Sequence, residues 1–291
     1  MAVVDARKIL ICALAALSLS LPFGCSRAVD KLEEIRDRII ERNDPAQPAA
    51  ATVNIPLGDP SGASSNNADR DNYLITRAAY TLSYNNDKGT ANWVAWKITA
   101  ESLGESLRRP EFRPDPELPS GFRKIVPSDY SGSGYDRGHL VASADRFGDA
   151  ALNDQTFYMT NVVPQTKDLN QFPWNKLEIY TRTLVRKGYD VYAIAGVLGN
   201  KGRLRKRVTI PASCWKILYI VPRGAAPSDS GSAKVIAVEM PNDNGIAHQR
   251  WAKYKTSVRA LEEKTGYDFF SALPVSEQDR LETNIDQNAP R

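Results

Sequence analysis

The central part of the chain alternates short apolar runs with turn-forming residues. Aromatic and branched side chains at 80–84 and 93–98 flank a turn sequence at 85–89, which predicts an antiparallel hairpin. Further apolar runs of strand length predict β-strands at 156–160, 191–197, 215–221 and 235–240. The pattern therefore predicts a sheet built largely from antiparallel strands.

Helical periodicity is confined to a few segments. The clearest is an amphipathic helix over 174–187, which ends at Gly188 and has Pro173 in its first turn and Asn170 just before or at its start. A second predicted helix covers 257–264, before Gly266. Because strands and helices do not alternate regularly, the chain is predicted to be α+β, with a central, largely antiparallel sheet flanked by helices.

The first 28 residues have the pattern of a signal peptide. Arg7 and Lys8 precede an apolar run at 9–23, which has the length of a signal-peptide core and is short for a membrane span. We therefore expect a secreted or periplasmic protein without a transmembrane span after processing. Cys25 also offers a lipoprotein site, so a lipid anchor at the cell envelope is the alternative, and a buried core helix at 9–23 is another.

Composition divides the remaining chain into three parts. Residues 29–52 combine a short helical pattern with a Pro/Ala-rich tether, and residues 53–274 are predicted to form one globular domain. Residues 275–291 are polar and are expected to be a frayed tail. Cys12 and Cys25 lie in the leader region, which leaves Cys214 as an unpaired core residue and excludes a disulfide framework.

Charge gives only local information about a partner. The formal net charge is +4, and removal of residues 1–28 takes away three basic side chains and one acidic one, so the mature chain is nearly neutral. Bulk charge therefore does not imply a nucleic-acid partner. One dense basic run is either a solvated loop or a nucleic-acid contact, and it consists of Lys201, Arg203, Arg205, Lys206 and Arg207.

The tetrapeptide Asp136-Arg137-Gly138-His139 is the strongest chemical signal. The chain has two histidines, and an unperturbed imidazole can accept a proton at neutral pH. Downstream, Asn170 could supply an oxygen to Mg²⁺, and Glu178 and Arg182 follow at helical spacing on the same face. A base, a hard metal and arginines together indicate hydrolysis of a phosphate ester.

These residues resemble the DNA/RNA non-specific endonuclease family of the ββα-metal fold, and especially its secreted bacterial, sugar-non-specific members. The matching segments are 135–139, 159–165 and 170–178 with Arg182, within a likeness that extends from about 72 to 270.

The resemblance implies that His139, on a hairpin, is the general base, and that Asn170 and Glu178 lie on the following helix. Asn170 would be the sole direct protein ligand of Mg²⁺ or Mn²⁺, and Glu178 would hold a metal-bound water. Three arginines would contact or stabilise the phosphate: Arg108, from a proline-rich loop that also contains Arg109 and Arg113, together with Arg137 and Arg182. Products with 5′-phosphates and a dedicated inhibitor protein are further implications.

Several other residues that could belong to the site are expected to have structural roles. We expect Asp136 to fix the backbone or an arginine, Asn161 to support the site through hydrogen bonds, and His248 to be a surface or structural residue. Trp174 and Leu177 are expected to anchor the helix in the core. Two other functions stay open from sequence: a phosphodiesterase acting on another ester, and a catalytically silent nucleic-acid-binding protein of the same fold.

Overall fold

A seven-stranded antiparallel sheet forms the centre of the computed structural model, which describes residues 53–105 and 111–287. In their order across the sheet, the strands are β1 (Tyr73–Thr76), β2 (Thr81–Asn85), β3 (Thr90–Ile98), β6 (Tyr189–Leu198), β9 (Ser213–Pro222), β10 (Lys234–Pro241) and β11 (Lys255–Thr256). The predicted hairpin is confirmed as β2 and β3, and the predicted strands at 191–197, 215–221 and 235–240 as β6, β9 and β10.

Both faces of this sheet are buried, each beneath its own core cluster. Consecutive side chains on a strand point to opposite faces and so join different clusters. On β3, Val94 and Trp96 join the core cluster that contains Trp174 and Leu177, whereas Trp93 and Ala95 join the cluster on the other face. The sheet is thus covered on one face by the segments that carry the site.

Those segments are a small two-stranded sheet and a helical run. The antiparallel strands β4 (Asp136–His139) and β5 (Val162–Gln165) are linked by a chain that contains α1 (Ala150–Gln155). A helical run follows, with α2 (Lys167–Leu169), a π turn (Asn170–Trp174) and α3 (Asn175–Arg186). Another two-stranded ribbon consists of β7 (Arg203–Leu204) and β8 (Val208–Thr209).

Two helices cover the opposite face near the C-terminus. The predicted helix at 257–264 is confirmed as α4 (Val258–Thr265), with Ser257 as its N-cap and the left-handed Gly266 at its end. The expectation of a frayed tail from residue 275 onward is wrong. Residues Val275–Glu282 form the helix α5, and Leu281 in this helix packs into the core.

The strand predicted at 156–160 is also wrong. Residues Met159–Asn161 form a 3-10 turn, and the strand begins at Val162 as β5. The Thr156 hydroxyl donates to the carbonyl of Asn153 (2.7 Å), which closes the end of α1 instead of extending the chain. Pro164 lies inside the real strand, and proline disfavours a strand assignment from sequence.

The expected signal peptide and tether at 1–52 lie outside the described residues, as do Cys25 and Arg108. Within 53–105 and 111–287, no helix combines the length and the apolar character that a membrane crossing requires.

Candidate active site

His139 lies at the end of β4 in an aromatic environment. Its ring centroid is 5.0 Å from both Phe112 and Phe157, and the indole nitrogen of Trp174 donates to its backbone carbonyl (3.2 Å). The residue as a whole is partly exposed, yet its Nε2 atom is buried and has no hydrogen-bond partner among the residues that the structure describes. Burial disfavours the charged ring and lowers the pKa of His139 to about 4, so the imidazole is neutral at pH 7.

The π turn places Asn170 within the helical run, three residues after its start. Pro173 has no amide hydrogen and cannot make the α-helical bond to the carbonyl of Leu169, and the wider turn accommodates this gap. The prediction that Asn170 lies just before or at the helix start is corrected by this geometry.

Asp136 fixes the amide of Asn170. Its Oδ2 atom accepts from Asn170 Nδ2 (2.9 Å) and from Gln171 Nε2 (2.8 Å). Asp136 is therefore structural, as expected, although it holds two side-chain amides and not the backbone or an arginine. Because the Asn170 nitrogen is engaged, its oxygen is directed away from Asp136 and remains an available ligand atom.

Four predicted residues line one cavity. This cavity measures about 410 Å³ and is bordered by His139, Asn170, Glu178 and Arg182, together with small and aromatic side chains from 142–147 and Phe157. The strand supplies the imidazole, and one face of the helical run supplies the other three groups. The expected convergence of the motif and the helix is thus present in the structure.

Arg182 is held by a buried carboxylate. Its Nη1 atom donates to Asp145 Oδ1 (2.9 Å), and Trp96 Nε1 donates to the other oxygen of Asp145 (3.1 Å). Asp145 lies in the 3-10 turn Ser143–Arg146 and is 1% exposed. Arg182 therefore presents a fixed guanidinium at the cavity.

Glu178 is paired with a buried lysine. Lys216 Nζ lies 3.5 Å from Glu178 Oε1 and 4.2 Å from the ring centroid of Trp174. Burial raises the pKa of Glu178, while the positive charge of Lys216 opposes that shift. Burial likewise lowers the pKa of Lys216, and Glu178 opposes this effect.

Sequence reasoning missed Asp145 and Lys216. Lys216 carried a usable signal, because it is the one charged residue inside the apolar strand β9. Asp145 sits in a short polar turn and gives no comparable local signal, since its burial depends on Trp96 and Arg182 from distant parts of the chain.

Arg137 shares one side of β4 with His139 but does not line the cavity. Its Nη2 donates to the carbonyl of Pro127 (2.8 Å), and the guanidinium lies 5.8 Å from the Phe112 ring centroid. In the proline-rich loop that contains Arg108, the nearby Arg113 forms an ion pair with Asp154. Arg108 itself lies outside the described residues.

The basic run at 201–207 is largely neutralised by its neighbours. Lys201 pairs with Asp243, Arg203 with Asp87 (2.5 Å) and Arg207 with Asp129 (3.2 Å). The remaining two residues, Arg205 and Lys206, occupy the turn between β7 and β8 with positive φ values of 45° and 59°. Arg205 forms one long bond to the carbonyl of Ser131 (3.3 Å), so these two side chains carry most of the available positive charge.

Several supporting residues lie where the sequence predicts. The side chain of Asn161 bonds the backbone of Val141 and Thr156, Trp174 and Leu177 are buried, and His248 is exposed and contacts Gln249. Cys214 is buried, and burial raises the pKa of its thiol to about 12. These residues support the fold around the cavity.

The oxygen atoms at the cavity suit a hard divalent cation. Asn170 offers its amide oxygen because its nitrogen is bonded to Asp136, and Glu178 offers a carboxylate that is 12% exposed. Among the described residues that line the cavity there is no cysteine and no second histidine. This donor set is typical of Mg²⁺ or Mn²⁺ and not of a softer metal.

Comparison with known proteins adds independent information. The sequence model described as DNA/RNA non-specific endonuclease matches residues 58–276. A Nostoc sp. protein named nuclease is 45% identical over 81% of this chain and 86% of its own length. A Serratia marcescens protein named nuclease is 30% identical over 82% of this chain and 89% of its own length. Human mitochondrial endonuclease G is 31% identical over 67% of this chain and 69% of its own length.

A solved structure gives the same result for the fold. The EndoG chain in its complex with EndoGI matches with a TM-score of 0.68 at 23% identity, over 80% of this chain and 96% of that chain. The predicted α+β class with a largely antiparallel sheet is therefore confirmed.

Proposed function

Since the chain belongs to the DNA/RNA non-specific endonuclease family and is a hydrolase acting on nucleic acids, we propose that it cuts DNA and RNA internally and leaves 5′-phosphates. The observation that carries this proposal is the convergence of His139, Asn170, Glu178 and Arg182 on one cavity.

In the proposed reaction, neutral His139 accepts a proton from water as the water oxygen forms a bond to phosphorus. The bond from phosphorus to the 3′ oxygen then breaks, and that oxygen takes up a proton. One product keeps the phosphate on its 5′ end and the other ends in a 3′-hydroxyl. The ring of His139 is neutral at pH 7, so it is in the protonation state that a general base requires.

Asn170 would hold a divalent cation directly, and Glu178 would hold it through water. A cation bound there supplies positive charge that stabilises the developing negative charge on the phosphate and the leaving oxygen. We propose Mg²⁺ as this cation, with Mn²⁺ as the alternative. The oxygen-only donor set supports this choice.

The arginines would bind phosphate and not bases. Arg182, fixed by Asp145, faces the cavity. Arg137 and Arg108 would contact the phosphate as well. Contacts restricted to phosphate carry no sequence information, which agrees with non-specific cleavage. Within the basic run, Arg205 and Lys206 would contact more distant phosphates, because the other three residues are paired with carboxylates.

We also propose that the protein is exported and loses residues 1–28. N-terminal sequencing of the exported chain should find a start at about residue 29, whereas a lipid on Cys25 would establish the anchored alternative. A dedicated inhibitor protein is a further proposed partner, since the matching EndoG structure is a complex with an inhibitor.

The central test is digestion of supercoiled plasmid and of RNA, with Mg²⁺ and with excess chelator. We expect internal cleavage of both substrates, product ends that accept kinase label only after phosphatase treatment, and loss of cleavage in chelator. His139→Ala should remove activity, whereas His248→Ala, which changes the exposed histidine, should retain it.

Full cleavage by His139→Ala, or in excess chelator, would contradict the proposal. Defined oligonucleotides separate the alternatives: an endonuclease gives a spread of internal lengths, whereas a small-ester phosphodiesterase cleaves without dependence on chain length. Retained nucleic-acid binding without any cleavage would indicate a silent binding protein.

A further inference from the structure

Lys216 is a charged residue in the middle of the central sheet. Its ladder neighbours are Ala195 on β6 and Val238 on β10, and the side chain is 2% exposed. Cys214 and Leu218, two positions away on either side, face the core cluster beneath α3, so Lys216 points toward the same face. The strand thus directs one ammonium group through the core toward the cavity.

Two aromatic rings and one carboxylate surround this ammonium group. Trp174 lies 4.2 Å and Trp96 5.2 Å from Lys216 Nζ, and Glu178 Oε1 lies 3.5 Å away. The nearby pair Asp145 and Arg182 is already joined by its own hydrogen bond of 2.9 Å. Glu178 is therefore the carboxylate directly paired with the buried lysine.

Packing alone does not require a charge at this position. The ladder neighbours are apolar, and an unbranched methionine would fill a similar volume. A buried ammonium group carries a desolvation cost that an apolar side chain avoids. Packing therefore does not account for the charge of Lys216, whereas its contact with the carboxylate of Glu178 does.

The two oxygens of Glu178 have different surroundings. Oε1 contacts Lys216, whereas Oε2 forms no hydrogen bond with any residue that the structure describes, and the carboxylate borders the cavity. One oxygen is thus held from the core side, which leaves the other for the cavity.

We propose that Lys216 is a positioning residue that holds Glu178 Oε1 and so keeps the carboxylate oriented toward the divalent cation. This inference rests on the proposed function, because Lys216 acts only through Glu178. The buried ammonium group of Lys216 does not line the cavity and so cannot contact the substrate. Its loss should therefore change cation affinity and turnover and not substrate binding.

The test is a double-mutant cycle with Lys216→Met, Glu178→Gln and the variant that carries both. Lys216→Met should lower kcat about 10- to 100-fold with little change in KM, and should weaken Mn²⁺ binding in calorimetry by a similar factor. In the Glu178→Gln background, Lys216→Met should change kcat by less than about 3-fold, since the carboxylate that it positions is gone.

Lys97→Met is the matched control. Lys97 also lies 3.5 Å from a carboxylate, Asp190, and its ammonium lies 5.3 Å from the Tyr192 ring centroid, but it does not border the cavity. Its substitution should leave kcat and Mn²⁺ affinity unchanged. If Lys216→Met does not fold, Lys216→Gln, which keeps a hydrogen-bond donor without the charge, enters the same cycle.

Equal losses of kcat from Lys216→Met in both backgrounds would overturn the inference, as would unchanged Mn²⁺ affinity. Full activity of Glu178→Gln would instead contradict the proposed role of Glu178, so the two failures are distinguishable.

Discussion

The aromatic surroundings of His139 should make the stability of the protein depend on pH. The pKa of His139 is lowered from 6.5 to about 4 by burial, so the unfolded chain binds one more proton than the folded chain between these values. Acid therefore destabilises the fold through this residue. The effect is absent above about pH 7.5, grows as pH falls below 6.5 and is complete below about 4.

The magnitude follows from the shift. Each pKa unit corresponds to about 1.4 kcal/mol, which gives about 2 kcal/mol at pH 5 and about 3 kcal/mol below pH 4, where both the folded and the unfolded chain carry the proton. Glutamine in place of His139 keeps polarity without titrating. The free energy of unfolding of the wild type should thus fall by about 2 kcal/mol relative to His139→Gln between pH 7.5 and pH 5.

Urea unfolding followed by circular dichroism, with chelator present, measures this difference. With a slope of about 2 kcal/mol per molar urea, the wild-type midpoint should shift by about 1 M relative to the variant. His248→Gln is the control, because His248 is exposed and its replacement should leave the wild-type pH dependence unchanged. Identical pH dependence of the wild type and His139→Gln would refute the reasoning.

Three further predictions concern the residues around the motif. Asp136→Ala removes the shared acceptor of two amides and should weaken Mn²⁺ binding about 10- to 100-fold in calorimetry; unchanged affinity would contradict this role. Gly138→Ala places a methyl group 2.1 Å from Gln165 Oε1 and should cost about 1–3 kcal/mol in urea unfolding, whereas Gly231→Ala, which meets no atom within 4 Å, should cost less. Cys214 should resist iodoacetamide until the protein is denatured, and peptide mass spectrometry would detect any native labelling, which would disprove its burial.

Local pattern was sufficient for the elements that have long apolar runs or well-defined ends. The hairpin of β2 and β3 has both an aromatic pattern and a turn sequence, and α4 has a serine cap and a terminal glycine. The strand at Val162 was missed because it is short and contains Pro164. The helix at Val275–Glu282 was missed because most of its residues are polar and its burial comes from contacts made by Leu281.

The same distinction applies to the site. The sequence was sufficient to predict which residues meet at the cavity, because a compact motif contains one of them and a regular helical spacing relates the other three. They are His139, Asn170, Glu178 and Arg182. Their supporting charges could not be predicted, since burial of Asp145 and Lys216 results from the packing of distant segments around Trp96 and Trp174. Sequence likewise cannot show that most of the basic run is paired with carboxylates from other loops.

The π turn at Asn170–Trp174 has a consequence for how this segment can tolerate change during evolution. Each residue of an α-helix rotates the chain by about 100°. Loss or gain of one residue between Asn170 and Glu178 would turn the carboxylate and Arg182 away from the cavity, even if every side chain were kept. Substitutions at exposed positions in the same run, such as Phe172 and Ile179, should change stability little by comparison. Length, more than composition, is therefore the property of this segment that selection must preserve.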